Sequence, residues 1–398
     1  MILLGFTSLF TDVGTEMIFP LLPVFLVETL GASPAFLGLI EGAADTVASL
    51  LKLASGVVAD RTRRRKPLVL LGYGLASAVR PFVAVATRPW HVLAVRVTDR
   101  VGKGLRSSPR DALIADAAGD RAGLAFGFHQ AMDHAGAVVG PLLATLLIAS
   151  KVPLRGVFWV AVIPGAIATA LVAAVRERDS TATLTSTPTP TSTSTSTSTS
   201  TSTSTSTPTP TPARLLDRRL VTYLGILGLF SLGNSSDAFL LLRARSLGLS
   251  AAAIPILWSL LNLSKVLWAY LGGAVADHVP RARLIAGGWL VYAGVYLGLG
   301  LATTAWHVWA LFVLYGVFYG LTEPVEKALV RDLVAPEQRG RAYGAFNFVI
   351  GVTALPAGLL TGALWRVWGP ATALETGAAL AGAACIGLLG WDASRSRT

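Results

Sequence analysis

The sequence predicts an all-α membrane protein of twelve spanning helices in two six-helix halves. Three observations carry that expectation: a composition too apolar for a soluble surface, twelve apolar stretches of spanning length, and loop motifs that recur at equivalent places in the two halves. Of the 398 residues, 53% are hydrophobic and only 14% are charged. Soluble domains carry roughly 25% Asp, Glu, Lys and Arg, so this chain lacks the polar groups to cover a soluble surface of its size. That excludes most soluble enzymes, secreted disulfide scaffolds and disordered proteins. The one cysteine, Cys385, can form neither an internal disulfide nor a cysteine-based metal site and reads as packing.

A spanning helix needs about 20 mostly apolar residues. The first candidate, 2–27, carries Asp12 and Glu16 with no basic segment ahead of it, and reads as a span rather than a signal peptide. Stretches 34–58, 67–87, 90–108, 123–149 and 156–175 complete the first half. The second half follows as 219–242, 252–276, 284–303, 307–328, 342–364 and 371–391. None alternates apolar and polar residues as the strands of a membrane barrel do. Between the halves, Asp179 to Pro212 is nearly all Ser, Thr and Pro, with an alternating run from Thr191 to Thr207. It has almost nothing to bury and reads as a disordered linker. The expected organisation is a bundle over 1–178, a linker over 179–213 and a bundle over 214–398.

The formal net charge is +11. In a soluble protein this would suggest a nucleic-acid partner. Here the excess gathers in alternate loops, such as Arg61, Arg63, Arg64, Arg65 and Lys66, and Lys327, Arg331, Arg339 and Arg341. Such loops stay on the cytoplasmic side. Both termini and the linker are therefore expected in the cytoplasm, with the protein in the cytoplasmic (inner) membrane and nucleic acid not a partner. Trp306, Trp309, Trp365 and Trp368 gather at the opposite helix ends, as an interfacial belt would.

The halves repeat each other. GVVADRTRRRK, Gly56 to Lys66, follows the second span, and GGAVADHVPRAR, Gly272 to Arg283, follows the eighth. RDALIADAAGDRAGLAFG, Arg110 to Gly127, follows the fourth, and EKALVRDLVAPEQRGRAYG, Glu326 to Gly344, follows the tenth. Two matches at equivalent places argue for duplication, and duplicated halves pack around a central cavity near the bilayer midplane.

The Gly56–Lys66 loop resembles the G-x-x-x-D-R-x-G-R-R loop of the major facilitator superfamily. Gly56, Asp60, Arg61, Arg64 and Arg65 fit, while Arg63 stands at the second Gly and Pro280 at its counterpart. GAVVGPLLA, Gly136 to Ala144, is similar to the fifth-helix motif of drug/proton antiporters. The resemblance covers the chain outside the linker and is to bacterial members. It implies two pseudo-symmetric bundles that work by alternating access, without a cofactor. It also implies a cytoplasmic gate at Gly56, Asp60, Arg61, Arg64 and Arg65, matched by Gly272, Asp277 and Arg281, and a helix bend at Gly136, Gly140 and Pro141.

Ionisable groups inside spans are costly and mark function by default. Asp12 and Glu16, four apart, share one helix face. Two such carboxylates in low dielectric cannot both ionise cheaply, which makes them candidate proton carriers together with Asp133. Candidates for a substrate cavity are Glu41, Asp45, His129, Gln130, His134, Asp237, Asn262, Lys265, Glu323 and Asn347. Each has a plainer reading. Lys52 can neutralise Asp45, neutral Asn and Gln can bridge helices, and Arg96, Asp99, Arg100 and Lys103 can snorkel or pair near the cytoplasmic end of the fourth span.

These residues point to proton-coupled efflux of a drug-like or cationic amphipathic small molecule by a monomer in the lipid bilayer. The alternative is a proton-coupled importer or exporter of a metal ion, a metal chelate or a small metabolite. An enzyme is not expected, because no HExxH, G-x-S-x-G, Cys–His or GxxxxGK[ST] pattern occurs. No ligand spacing is specific enough to claim a metal site.

Overall fold

The computed structural model describes residues 2–62, 66–118, 122–175, 218–276, 279–334 and 338–395. The expected linker, 179–213, lies outside the described residues. Helices account for nearly all of the chain described, and no strand occurs among the described residues.

The first half runs through Ile2–Thr29, Pro34–Thr62, Lys66–Val85, Pro89–Ala118, Ala122–Ala149 and Leu154–Ala174. The second runs through Arg218–Ser246, Ala253–Ala276, Arg281–Leu301, Ala305–Asp332, Arg339–Trp368 and Pro370–Arg395. These are called the first to twelfth helices below. Ten of them are long and apolar enough to cross a membrane. The fourth is too charged to count among the ten. In the eighth, the apolar stretch Ala253–Trp268 is short.

The sequence placed two helix ends too early. The fourth helix does not stop at 108; it continues through Pro109 to Ala118 and takes the RDALIAD segment with it. The tenth likewise carries EKALVRD as far as Asp332. Within the described residues, Arg110–Ala118 and Glu326–Asp332 are therefore helical continuations of these spans. Prolines shape the first helix, which tightens to a 3₁₀ turn over Phe19–Leu21 and widens to a π turn over Phe25–Thr29. Pro20 and Pro23 supply no N–H there, so the regular ladder cannot pass unbroken.

Packing repeats with the sequence. The first helix lies against the fifth and sixth, and the seventh against the eleventh and twelfth. The fourth lies against the second and third, and the tenth against the eighth and ninth. The halves meet along two seams related in the same way, second against eleventh and fifth against eighth.

Small residues set these distances. A Cβ on Gly136 would stand 2.6 Å from the Leu9 carbonyl oxygen, and one on Gly140 2.6 Å from that of Val13. Close backbone approach is the usual role of small residues four apart in a membrane helix. The same two positions lie against the Cβ atoms of Asp12 and Glu16, so the glycine pair seats the turn of the first helix that carries both acids. The α-helix itself runs unbroken through Pro141.

Candidate functional site

A cavity of about 590 Å³ lies between the halves. Phe19 and Trp258, whose rings are 5.0 Å apart, line it from opposite halves. From there the lining extends toward the end that carries the chain termini, reaching Lys52 on the second helix and Ser107 on the fourth. At the opposite end the halves are held together. The Arg245 guanidinium donates to both carboxylate oxygens of Glu28 at 2.6 and 3.1 Å, and Thr145 donates to the Ala252 carbonyl at 3.3 Å. Along the seam Thr46 donates to the Gly351 carbonyl at 2.7 Å, and Gly42 packs on Ala354. Among the described residues the halves are thus held together at one end, while the cavity lining extends toward the other.

Charge dominates the wall. Asp12, Glu16, Glu41, Asp45 and Asp237 line it, facing Lys52, Arg80, Arg100, Lys103, Arg106 and Lys265. Most of these are paired. Arg96, on the fourth helix behind the wall, reaches both Glu41 oxygens at 3.1 and 2.6 Å, with both residues buried. Arg80 donates to Asp99 at 2.7 Å and to the Thr11 carbonyl at 3.3 Å. Lys265 stands 3.7 Å from Asp237 and 3.6 Å from the centre of the Tyr319 ring. Asp237 also accepts from Tyr315 and Tyr319, each at 2.8 Å. Buried charges of this kind persist only when paired and fully hydrogen-bonded.

Two acids depart from that pattern. Asp12 makes no ion pair among the described residues. Glu16 accepts from the Trp258 indole N–H at 2.6 Å, across the junction of the halves, and has no cation within ion-pair distance among the described residues.

The sequence candidates divide accordingly. Asp12, Glu16, Glu41, Asp45, Asp237, Asn262, Lys265 and Asn347 line the cavity. Asn262 also bridges the halves, donating to the Ala137 carbonyl at 3.3 Å. His129, Gln130, Asp133, His134 and Glu323 do not line it. Asp133 accepts from Ser8, and His129 lies 3.8 Å from Asp133, which places this group on the seam of the first and fifth helices. Glu323 is exposed and pairs with Lys327 at 3.7 Å.

Of the expected gate, Gly56, Asp60 and Arg61 lie near the end of the second helix and Gly272 near that of the eighth, with side chains outside the described ones. Arg64, Arg65 and Asp277 lie outside the described residues. Arg281 opens the ninth helix and is ion-paired with Asp332 at the end of the tenth.

The fourth helix holds what the sequence undervalued. Of the two readings for Arg96, Asp99 and Arg100, pairing holds and snorkelling does not: all three are buried and ion-paired, and the nearest cation to Asp45 is Arg100, at 3.6 Å, not Lys52. Arg106 was not singled out at all. The available signal was spacing: residues 96, 99, 100, 103 and 106 repeat at three and four, the period of one helix face. Among the described residues no group of three or more His, Cys, Asp or Glu side chains is placed to hold a metal.

Comparison with known proteins gives consistent results. The family model described as Major Facilitator Superfamily matches residues 4–358 and 222–396. The MFS-type transporter MJ1317 of Methanocaldococcus jannaschii is 30% identical over 372 residues, covering 92% of this chain and 88% of that one. The multidrug resistance protein MdtH of Photorhabdus laumondii is 31% identical over 144 residues, 36% of either chain. Among solved structures, the nucleoside transporter NupG superposes with a TM-score of 0.74 at 13% identity, covering 98% of both chains. A D-xylose-proton symporter does so with a TM-score of 0.73 at 14% identity, covering 97% of this chain and 96% of that one. At such identities the structural likeness speaks for the fold alone.

Proposed function

We propose that this chain, which belongs to the major facilitator superfamily and is a multi-pass membrane transporter, exports a small organic solute in exchange for protons across the cytoplasmic membrane. One observation carries the proposal: of the cavity acids, Asp12 and Glu16 are the two without a cationic partner among the described residues. The other three are each held by Arg96, Arg100 or Lys265.

A carboxylate with no fixed counter-ion in a low-dielectric cavity can take either a proton or a cationic group of the solute. Competition between the two for one site is the thermodynamic basis of exchange. Trp258, bonded to Glu16, and Phe19 beside it offer aromatic surface to an organic solute. Glu16 is also bonded to the other half through Trp258, so a change in its charge bears directly on the contact between halves. His129, Ser8 and Asp133 continue this polar line along the first and fifth helices toward the terminal end. The export direction rests on the fifth-helix motif and on the partial likeness to MdtH.

In this reading the termini and the linker over 179–213 lie in the cytoplasm, between bundles over 1–178 and 214–398, and the protein acts as a monomer. The cavity then opens inward. The segments Gly56–Arg65 and Gly272–Arg281 form the gate that closes it, and the Arg281–Asp332 pair supports that role in the second half.

The test is proton-driven uptake of a fluorescent organic cation into inverted vesicles, comparing the wild type with Asp12→Asn and Glu16→Gln. Coupling should be lost in at least one variant at normal membrane content. Unchanged coupling in both would remove the first helix from the mechanism.

A further inference from the structure

The fourth helix presents three cations to the cavity at successive turns: Arg100, Lys103 and Arg106. A spacing of three keeps them near one face, over about 9 Å of helix. Their bonding is incomplete. Arg100 is only 8% exposed, yet its Nε has no hydrogen-bond partner, and the Asp45 oxygen facing it stands 3.6 Å away on a half-exposed side chain. The Lys103 side chain is exposed where it lines the cavity, and its ammonium has neither an ion pair nor a hydrogen bond among the described residues. Arg106 is 5% exposed and rests on the Tyr73 ring at 4.4 Å, with one long contact to the Gly72 carbonyl at 3.5 Å.

Like charges placed side by side on one wall repel, and a buried donor left unmade, here the Arg100 Nε, is expensive. The cost is relieved when an anion arrives. The free capacity is one ammonium and one guanidinium edge, which suits a single carboxylate.

We propose that Arg100, Lys103 and Arg106 form a carboxylate-binding subsite, so that the transported solute is amphoteric: its acid rests on the fourth helix, its cationic group meets Glu16, and its aromatic part meets Phe19 and Trp258. This deepens the export reading, since it concerns the same cavity, but it is independent of proton coupling. A simple cation would meet only the acids and would leave the repulsion along the fourth helix in place. A solute carrying both charges meets both sets.

The experiment uses purified full-length protein and three probes that share one indole ring: tryptophan, tryptamine and indole-3-propionate. Thermal stabilisation at neutral pH gives an apparent Kd for each. One charge-assisted contact is worth about tenfold in affinity, so tryptophan should bind about tenfold more tightly than tryptamine. Lys103→Gln should abolish that advantage while leaving tryptamine at least as tight as in the wild type, and Lys103→Arg should retain it.

Equal binding of tryptophan and tryptamine to the wild type overturns the proposal. So does an equal loss for both probes in Lys103→Gln, or no stabilisation by tryptophan at millimolar concentration. Failure of proton coupling shows instead in the vesicle assay with Glu16→Gln and leaves these affinity ratios unchanged, so the two failures are distinguishable.

Discussion

Around the cavity the first half is built from ion pairs, Arg80 with Asp99, Arg96 with Glu41 and Arg100 with Asp45. Among the described residues, the second half places one pair on it, Asp237 with Lys265, inside a frame of aromatic rings. Tyr315 and Tyr319 hold Asp237. Behind them Tyr292 stacks on Tyr296 at 4.1 Å, and Phe230 stacks on Trp289 at 4.4 Å. Helix positions and packing partners repeat between the halves, but the chemistry of the wall does not. Duplication supplies the frame, because backbone packing depends on small residues and helix length. Each wall is then free to diverge where its charges find partners within the same half, as Glu41 does in Arg96 and Asp237 in Lys265.

The sharpest way to break this comparison is to cut one pair in each half. Arg96→Leu strands the buried Glu41 and should cost about 3–5 kcal/mol. Lys265→Met should cost about 1–2 kcal/mol, because Asp237 keeps two tyrosine donors. Thermal unfolding of the two variants in detergent checks the order, and equal losses would erase the distinction between the walls.

Next in size is Gly140→Leu, which forces the first and fifth helices apart. Overpacking of this kind costs about 1–3 kcal/mol. Because the displaced turn carries Glu16, proton coupling should fall together with stability. Retained coupling in a destabilised protein would detach the glycine pair from the acids.

The smallest effect is expected at the closed end. Glu28→Gln breaks the half-exposed pair with Arg245, worth about 0.2–1 kcal/mol. The variant should unfold nearly as the wild type does, while crosslinking across that end falls. A large loss of stability there would mean that the closed end, rather than the two walls, holds the halves together.

Much of the fold is readable residue by residue. Apolar runs set the twelve helices, and the paired motifs at Gly56–Lys66 and Gly272–Arg283 set the duplication. The two misplaced ends show the limit of hydropathy. Arg110 to Asp116 carries charges at both ends, which interrupt the apolar run, yet its backbone continues the same helix. Cavity acids were legible because a carboxylate in a span is conspicuous. Asp12, Glu16, Glu41, Asp45 and Asp237 were all named from sequence and all line the cavity. Of the fourth-helix cations, Arg96, Arg100 and Lys103 were named only as groups that snorkel or pair, and Arg106 was not named, because a basic residue near a helix end has an ordinary explanation. His129 and His134 show the converse: their polarity was evident, but the direction of their helix face was not.

The sequence by itself determined that this is a membrane protein of duplicated helical bundles, with costly carboxylates concentrated in the first half. Those properties follow from composition, period and repeat, which need no knowledge of neighbours. Only the tertiary structure decided which charges cancel. Arg96 meets Glu41 across 55 positions, and Trp258 meets Glu16 across 242. An ion pair depends on a few ångströms of separation between helices, and no local pattern encodes that distance. The same holds for Lys103: a basic residue in the sequence becomes an unpartnered cation in a cavity only after the fourth helix has turned it inward.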